Sequence, residues 1–122
     1  TCADLLKLKL PADAAEDSYR ILPVLLGEQL DKQIREAVIS HSIAGVFSVR
    51  LRNWKYIEGK LGGGFLWKEA LEREPNAPAG QLYDMDQDIT ETKNLFQERP
   101  DIVDRLQGLL DRYREQQYSR PL

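Results

Sequence analysis

The chain has 122 residues, of which 42% are hydrophobic and 30% charged, with a net charge of −3; that is one domain's worth of chain, too apolar to be a disordered segment. Basic residues are scattered among more numerous acids, which excludes a nucleic-acid footprint, and no apolar run reaches the roughly 18 residues a membrane-spanning helix needs. A lone cysteine, Cys2, excludes an internal disulfide.

In chain order, Thr1-Cys2-Ala3-Asp4-Leu5-Leu6 reads as a first helical turn, with Thr1 as cap and Asp4 at the capping-box spacing. Pro11 limits this helix to barely two turns, so it needs something to pack on, and its natural partner is expected outside the chain. No signal peptide is visible, and a chain opening on Thr1 leaves room for a longer precursor. Cys2 has no base or oxyanion donor near it in sequence and reads as a small buried or frayed residue, not a nucleophile. Asp13 to Ser18 is a polar link. Leu22 to Gly27 is a second short helix, with Pro23 in its first turn and Gly27 at its left-handed end. The charged stretch from Glu28 to Glu36 crosses the surface.

The stretch from Val38 to Gly64 organises the rest. Polar and apolar residues alternate through Val46–Leu51 and again through Trp54–Glu58, as in strands with one buried face. Leu51-Arg52-Asn53 is short enough for a hairpin turn, with Asn53 expected to take positive φ, and Val38–Ser42 adds a third strand. Lys60-Leu61-Gly62-Gly63-Gly64 follows, a run of glycines that lets the backbone come close to a ligand or another chain. His41 stands alone: no Cys or second His lies at ligand spacing, and Ser42 falls on the opposite face of a strand, so neither a metal site nor a Ser/His pair is supported.

From Phe65 to Gly80 the pattern is irregular, with one or two helical turns around Leu66, Ala70 and Leu71 and a Glu69/Arg73 pair on the outside. Gln81–Met85 is the fourth strand. Asp84, Asp86 and Asp88 invite a calcium-loop reading, but Ile89 occupies the position of the turn glycine and Leu95 that of the bidentate glutamate, so turn-forming aspartates are the better account. Glu91 to Leu95 is a turn that tucks Leu95 and Phe96 onto the core. Ile102, Val103, Leu106, Leu109, Leu110 and Tyr113 form one stripe of a long helix opened by Pro100 and Asp101 and ended by Arg112 and Arg114. Gly108 is expected to allow close packing on the sheet. Gln116 onward is a tail. The fold class is α+β: about four antiparallel strands packed against a long C-terminal helix.

The succession His41-Ser42-x-x-Gly45-x-Phe47-x-x-Arg50, Trp54-Lys55-x-Ile57-Glu58-Gly59, Gly62-Gly63-Gly64-Phe65, Gly80-Gln81-Leu82-Tyr83-Asp84, Asp88-x-x-Glu91-Thr92-x-Asn94-Leu95 and Pro100-x-x-Val103-x-x-Leu106 resembles the C-terminal part of arylsulfatase-type sulfatases of the alkaline-phosphatase-like superfamily. Upstream, Leu10-Pro11-Ala12-Asp13-Ala14-x-Glu16-Asp17-Ser18 with Leu22-Pro23-x-Leu25-x-Gly27 is similar to the segment that joins the catalytic domain of those enzymes to the C-terminal subdomain. The resemblance implies a lead-in over residues 1–27, from the end of the catalytic domain, and a sheet-plus-helix subdomain over 28–122. It also implies that the chemistry lies elsewhere. The family uses a formylglycine made from Cys or Ser in a C/S-x-P/A-x-R signature beside a calcium, whereas Cys2 is followed by Ala3, Asp4, Leu5 and Leu6. Calcium and formylglycine are therefore expected in a missing catalytic domain, and this chain alone is expected to be inactive.

In such an enzyme the subdomain borders the substrate cleft, and the expected rim residues are His41, Lys60, Gly62, Gly63 and Gly64. The expected partners are the chain's own catalytic domain and a sulfate ester, including a sulfated carbohydrate; a periplasmic or secreted location is implied for the parent. The alternative is a stand-alone carbohydrate- or protein-binding module; an independent calcium-binding domain resting on Asp84, Asp86 and Asp88 is the weakest reading. A fragment separated from its catalytic domain should leave apolar surface uncovered around Leu5, Leu6, Leu25 and Leu26, open to homo-oligomer formation, and a true module should not.

Overall fold

A computed structural model describes residues 1–11, 13–28, 31, 33–61 and 75–119. Its contacts divide the chain into two compact units, Thr1–Glu36 with Arg112–Leu122, and Ala37–Asp111.

The second unit contains a four-stranded antiparallel meander of β1 (Val38–His41), β2 (Phe47–Leu51), β3 (Trp54–Ile57) and β4 (Gln81–Asp84), in the order β1-β2-β3-β4. Each strand lies within a residue of its expected span, because two-residue alternation is a local signal that the pleat reads directly. The register sets Ile39 opposite Val49, Val49 opposite Tyr56, and Tyr56 opposite Leu82, which makes one apolar row across the sheet. Val49, Tyr56 and Leu82 are buried, together with Leu51 from the same face. The long helix α3 (Pro100–Gln116) buries Val103, Leu106, Leu109 and Leu110, the expected stripe. Sheet row and helix stripe form the core of an α+β fold. Leu82, Leu106, Leu110 and Val49 are its largest fully buried side chains, each contributing roughly 1.5–3 kcal/mol of burial.

Two local expectations are corrected. The hairpin turn takes its positive φ at Arg52, not Asn53, because Asn53 is held across the sheet end: its Nδ2 donates to Asp84 Oδ1 at 2.9 Å and its carbonyl accepts from the Met85 amide at 2.7 Å. Gly108 is exposed, and a Cβ built there meets nothing within 4 Å, so close packing does not require it. The close approach is at Gly80, where a Cβ would sit 2.5 and 2.9 Å from the ring of Phe96.

The first unit is different in kind. It holds two four-residue helices, α1 (Cys2–Leu5) and α2 (Leu22–Leu25). The capping box at Thr1 does not form. Asp4 pairs with Arg20 at 2.7 Å, and Thr1 Oγ1 accepts from the Ile21 amide at 3.1 Å. Further ties run from Arg112 to Glu36 (2.5 Å), from the Tyr19 hydroxyl to the Ser119 carbonyl, and from the Arg35 guanidinium to the face of Tyr19 at 4.5 Å. No described residue of this unit is buried. Leu5, Leu6, Leu8, Leu10, Ile21, Val24, Leu25 and Leu26 are all exposed. The helical turns expected around Leu66, Ala70 and Leu71, and the Glu69/Arg73 pair, lie outside the described residues.

Candidate functional site

The antiparallel order brings two of the expected rim residues to one end of the sheet. β1 ends at His41, which pairs with Phe47 at the start of β2, and the Phe47 carbonyl accepts from the Glu58 amide at 2.9 Å just past the end of β3. Lys60 follows two residues later. The glycines Gly62, Gly63 and Gly64, expected to complete the rim, lie outside the described residues.

His41 is exposed, and its ring packs at 5.6 Å and 49° to that of Phe47. Its Nδ1 lies 3.0 Å from the Ser42 carbonyl oxygen, which can only accept. That bond places the neutral ring's proton on Nδ1 and leaves Nε2 as an acceptor for a ligand hydroxyl. Lys60 is exposed, and its Nζ donates to the Pro75 carbonyl at 3.0 Å. An ammonium has three donors, so one bond to the chain leaves two for an anion. Before it, Gly59 has φ +133°, with its Cβ direction filled by Val46 at 3.5 Å. The group can bind and orient a ligand. It contains no nucleophile and no cluster of cations able to stabilise a leaving sulfate.

At the opposite end of the sheet an open cleft of about 510 Å³ is lined by Trp54, Asp84, Asp88, Lys93, Glu98 and Arg99 among others. Its charges are used internally. Arg99 stacks over the indole of Trp54 at 5.2 Å and grips both oxygens of Asp101 at 3.0 and 2.9 Å, so the Arg99 pKa rises and that of Asp101 falls. Asp88 accepts from the amides of Lys93 (2.8 Å) and Thr92 (3.0 Å) and from the hydroxyls of Thr92 and Thr90; these donors hold its carboxyl below the usual carboxylate range. Lys93 pairs with Glu98 at 3.1 Å. Asp84, Asp86 and Asp88 make turns here, and no group of three metal-ligating side chains occurs among the described residues.

Sequence reasoning passed over two devices that hold the sheet. Lys55 Nζ lies 2.6 Å from Glu91 Oε1, with both side chains about 30% exposed. Tyr83, next to this pair, is pushed up in pKa by burial first and by the charges of Glu91 and Asp88 second. Asn94 is the other device. The signal for both was present in the motif carrying the sulfatase resemblance, where Lys55, Glu91 and Asn94 stand at set positions without a stated role.

No family model matches the chain. Over 109 residues it is 34% identical to N-acetylgalactosamine-6-O-sulfatase of Bacteroides thetaiotaomicron, a stretch that covers 89% of this chain and 21% of that protein. A solved sulfatase chain, from work on the metabolism of multiple glycosaminoglycans by Bacteroides thetaiotaomicron, matches with a TM-score of 0.67 at 31% identity, covering 90% of this chain and 22% of that one. The chain thus spans about a fifth of the length of these relatives. In sequence and in fold, over about nine tenths of its length, this chain is similar to one part of these sulfatases.

Proposed function

We propose that the chain is the C-terminal subdomain of a sulfatase, with a lead-in over residues 1–27, and that it works beside a catalytic domain lying outside these residues. That domain would supply the formylglycine and the calcium; Cys2, followed by Asp4 and Leu6 where the signature needs Pro or Ala and then Arg, does not fit the first. The subdomain's part is structural, and it borders the cleft through His41, Lys60 and the glycines Gly62, Gly63 and Gly64. The observation that carries the reading is the match along nearly all of this chain to only a fifth of a sulfatase. The gathering of His41 and Lys60 at one sheet end supports the rim assignment. The substrate class is a sulfate ester on a carbohydrate, by analogy with the names of the relatives.

In the intact enzyme, Gly63→Trp should change the ratio of kcat/KM between two sulfated sugars and leave the melting temperature nearly unchanged. An unchanged ratio would remove the rim assignment. The stand-alone module predicts covered apolar surface. Leu5, Leu6, Leu25 and Leu26, each about two-thirds exposed, favour the sulfatase part instead.

A further inference from the structure

Where the β2–β3 turn, the end of β4 and the residues leading into α3 meet, the fold leaves the open cleft of about 510 Å³, a size within the roughly 300–1,000 Å³ of small-molecule sites. The charged groups on its lining pair with one another or with neighbours, yet each pairing leaves part of the group over. Asp84 spends Oδ1 on the Asn53 side-chain amide (2.9 Å) and the Asp86 backbone amide (3.2 Å), and its Oδ2 has no partner among the described residues. Glu98 spends Oε2 on Lys93 at 3.1 Å, which keeps Oε1 as an acceptor and leaves two of the three ammonium donors unspent. Arg99 gives Nε and Nη2 to Asp101 and retains Nη1. The Trp54 indole N–H and both ends of the Gln87 side-chain amide make no hydrogen bond among the described residues.

Unspent acceptors and unspent donors thus share one lining, and that mixture selects the ligand. A sulfate or phosphate only accepts and an ammonium only donates, whereas each sugar hydroxyl does both. Charge points the same way: the carboxylates Asp84, Asp88 and Glu98 outnumber the cations Lys93 and Arg99, so an added anion meets net repulsion. Trp54 and Leu95 supply apolar surface for the C–H face of a pyranose ring. We infer that this cleft binds a neutral, unsulfated saccharide unit, with Asp84 Oδ2 and Glu98 Oε1 accepting from its hydroxyls and Gln87, Lys93 and Trp54 donating to them. Such a site goes beyond the proposed function and holds whether or not the chain works beside a catalytic domain. Asp84, anchored through Oδ1, needs no reordering to bind, which offsets part of the cost of association; the exposed Gln87 and Lys93 side chains must be ordered, which keeps the affinity modest.

The test is a nuclear magnetic resonance titration of the isotope-labelled 122-residue chain with galactose, glucose and N-acetylgalactosamine, each to about 50 mM, and with N-acetylgalactosamine 6-sulfate as the anionic counterpart. At least one neutral sugar should shift the Trp54 indole N–H and the amides of Gln87, Lys93 and Glu98 with a Kd on the order of 1–10 mM. The sulfated sugar should bind at least about tenfold more weakly. Asp84→Asn turns the open acceptor into a donor while Oδ1 keeps its bonds to Asn53 and Asp86, and should weaken binding about tenfold. Gln87→Ala removes a side chain that holds nothing in the fold, so it decides the matter even where Asp84→Asn unfolds the chain; it should weaken binding about threefold at an unchanged melting temperature. The assignment is overturned by the absence of shifts with all the neutral sugars, by tighter binding of the sulfated sugar, by shifts that gather at His41 and Lys60 instead, or by a Gln87→Ala chain that binds as the parent does.

Discussion

The side-chain oxygen of Asn94 accepts from the Leu82 amide at 3.0 Å, and so closes the outer edge of β4 from twelve residues away. The same oxygen accepts from the Phe96 amide at 3.0 Å, while Nδ2 donates to the Gly80 carbonyl at 3.2 Å and the Leu95 amide donates to the Leu82 carbonyl at 2.8 Å. Leu82 is fully buried, so its amide has no water to turn to. Asn94→Ala should destabilise the protein by about 2 kcal/mol, the usual cost of orphaning buried donors. Urea titration reads this directly, and a loss below about 0.5 kcal/mol would mean the edge closes without it.

Phe96 stacks on Tyr56 at 6.5 Å with ring planes 17° apart, and lies over Gly80 with no room for a methyl group. Gly80→Ala should therefore cost about 2 kcal/mol through overpacking. Adding Phe96→Leu should recover part of that loss. If the double variant is as unstable as the two single changes combined, the contact is not the cause.

Gly108→Ala should act in the opposite direction. The site faces open space in the middle of a 17-residue helix, so the substitution gains helix propensity without a clash and should stabilise by about 1 kcal/mol. A fall in melting temperature would restore the close-packing role that the sequence suggests.

Asp88 makes stability depend on pH in one direction. Its folded pKa lies below its ordinary value of 3.8, chiefly because the Lys93 and Thr92 amides donate to the ionised form. The folded state therefore binds fewer protons than the unfolded state there. Its contribution is present above about 3.8 and is lost as pH falls through the depressed folded pKa. Asp101, lowered by Arg99, adds in the same window. Urea midpoints between pH 5 and pH 2 should fall less steeply for Asp88→Asn than for the parent chain; parallel curves would sink this assignment.

Two outcomes bear on the site. The purified 122-residue chain should turn over no aryl sulfate, since its one cysteine lacks the flanking residues of the nucleophile signature. In the intact enzyme, Lys60→Met should raise KM about tenfold with kcat little changed, as expected when a remote charged contact is removed. A drop in kcat at unchanged KM would place Lys60 among the groups that act in the transition state instead.

What the sequence by itself determined was everything with a short repeat. The two-residue alternation of Val46–Leu51 and Trp54–Ile57, and the stripe from Ile102 to Tyr113, place strands and helix to within a residue or two, because neighbouring side chains decide those periods. The sulfatase resemblance was legible in the same way, as ordered motifs along the chain. His41 and Lys60 were legible as candidates, but their shared sheet end needed the strand order. Tertiary structure alone decided the rest. Whether Arg52 or Asn53 takes the strained turn position depends on Asp84, and whether Gly80 or Gly108 needs to be small depends on Phe96; these partners lie 16 or more residues from the residues they control, except in empty space around Gly108. Burial is the clearest case. Leu5 and Leu106 are the same residue type in helical stretches, yet one is 67% exposed and the other 1%, because only the second has a sheet to pack against within this chain.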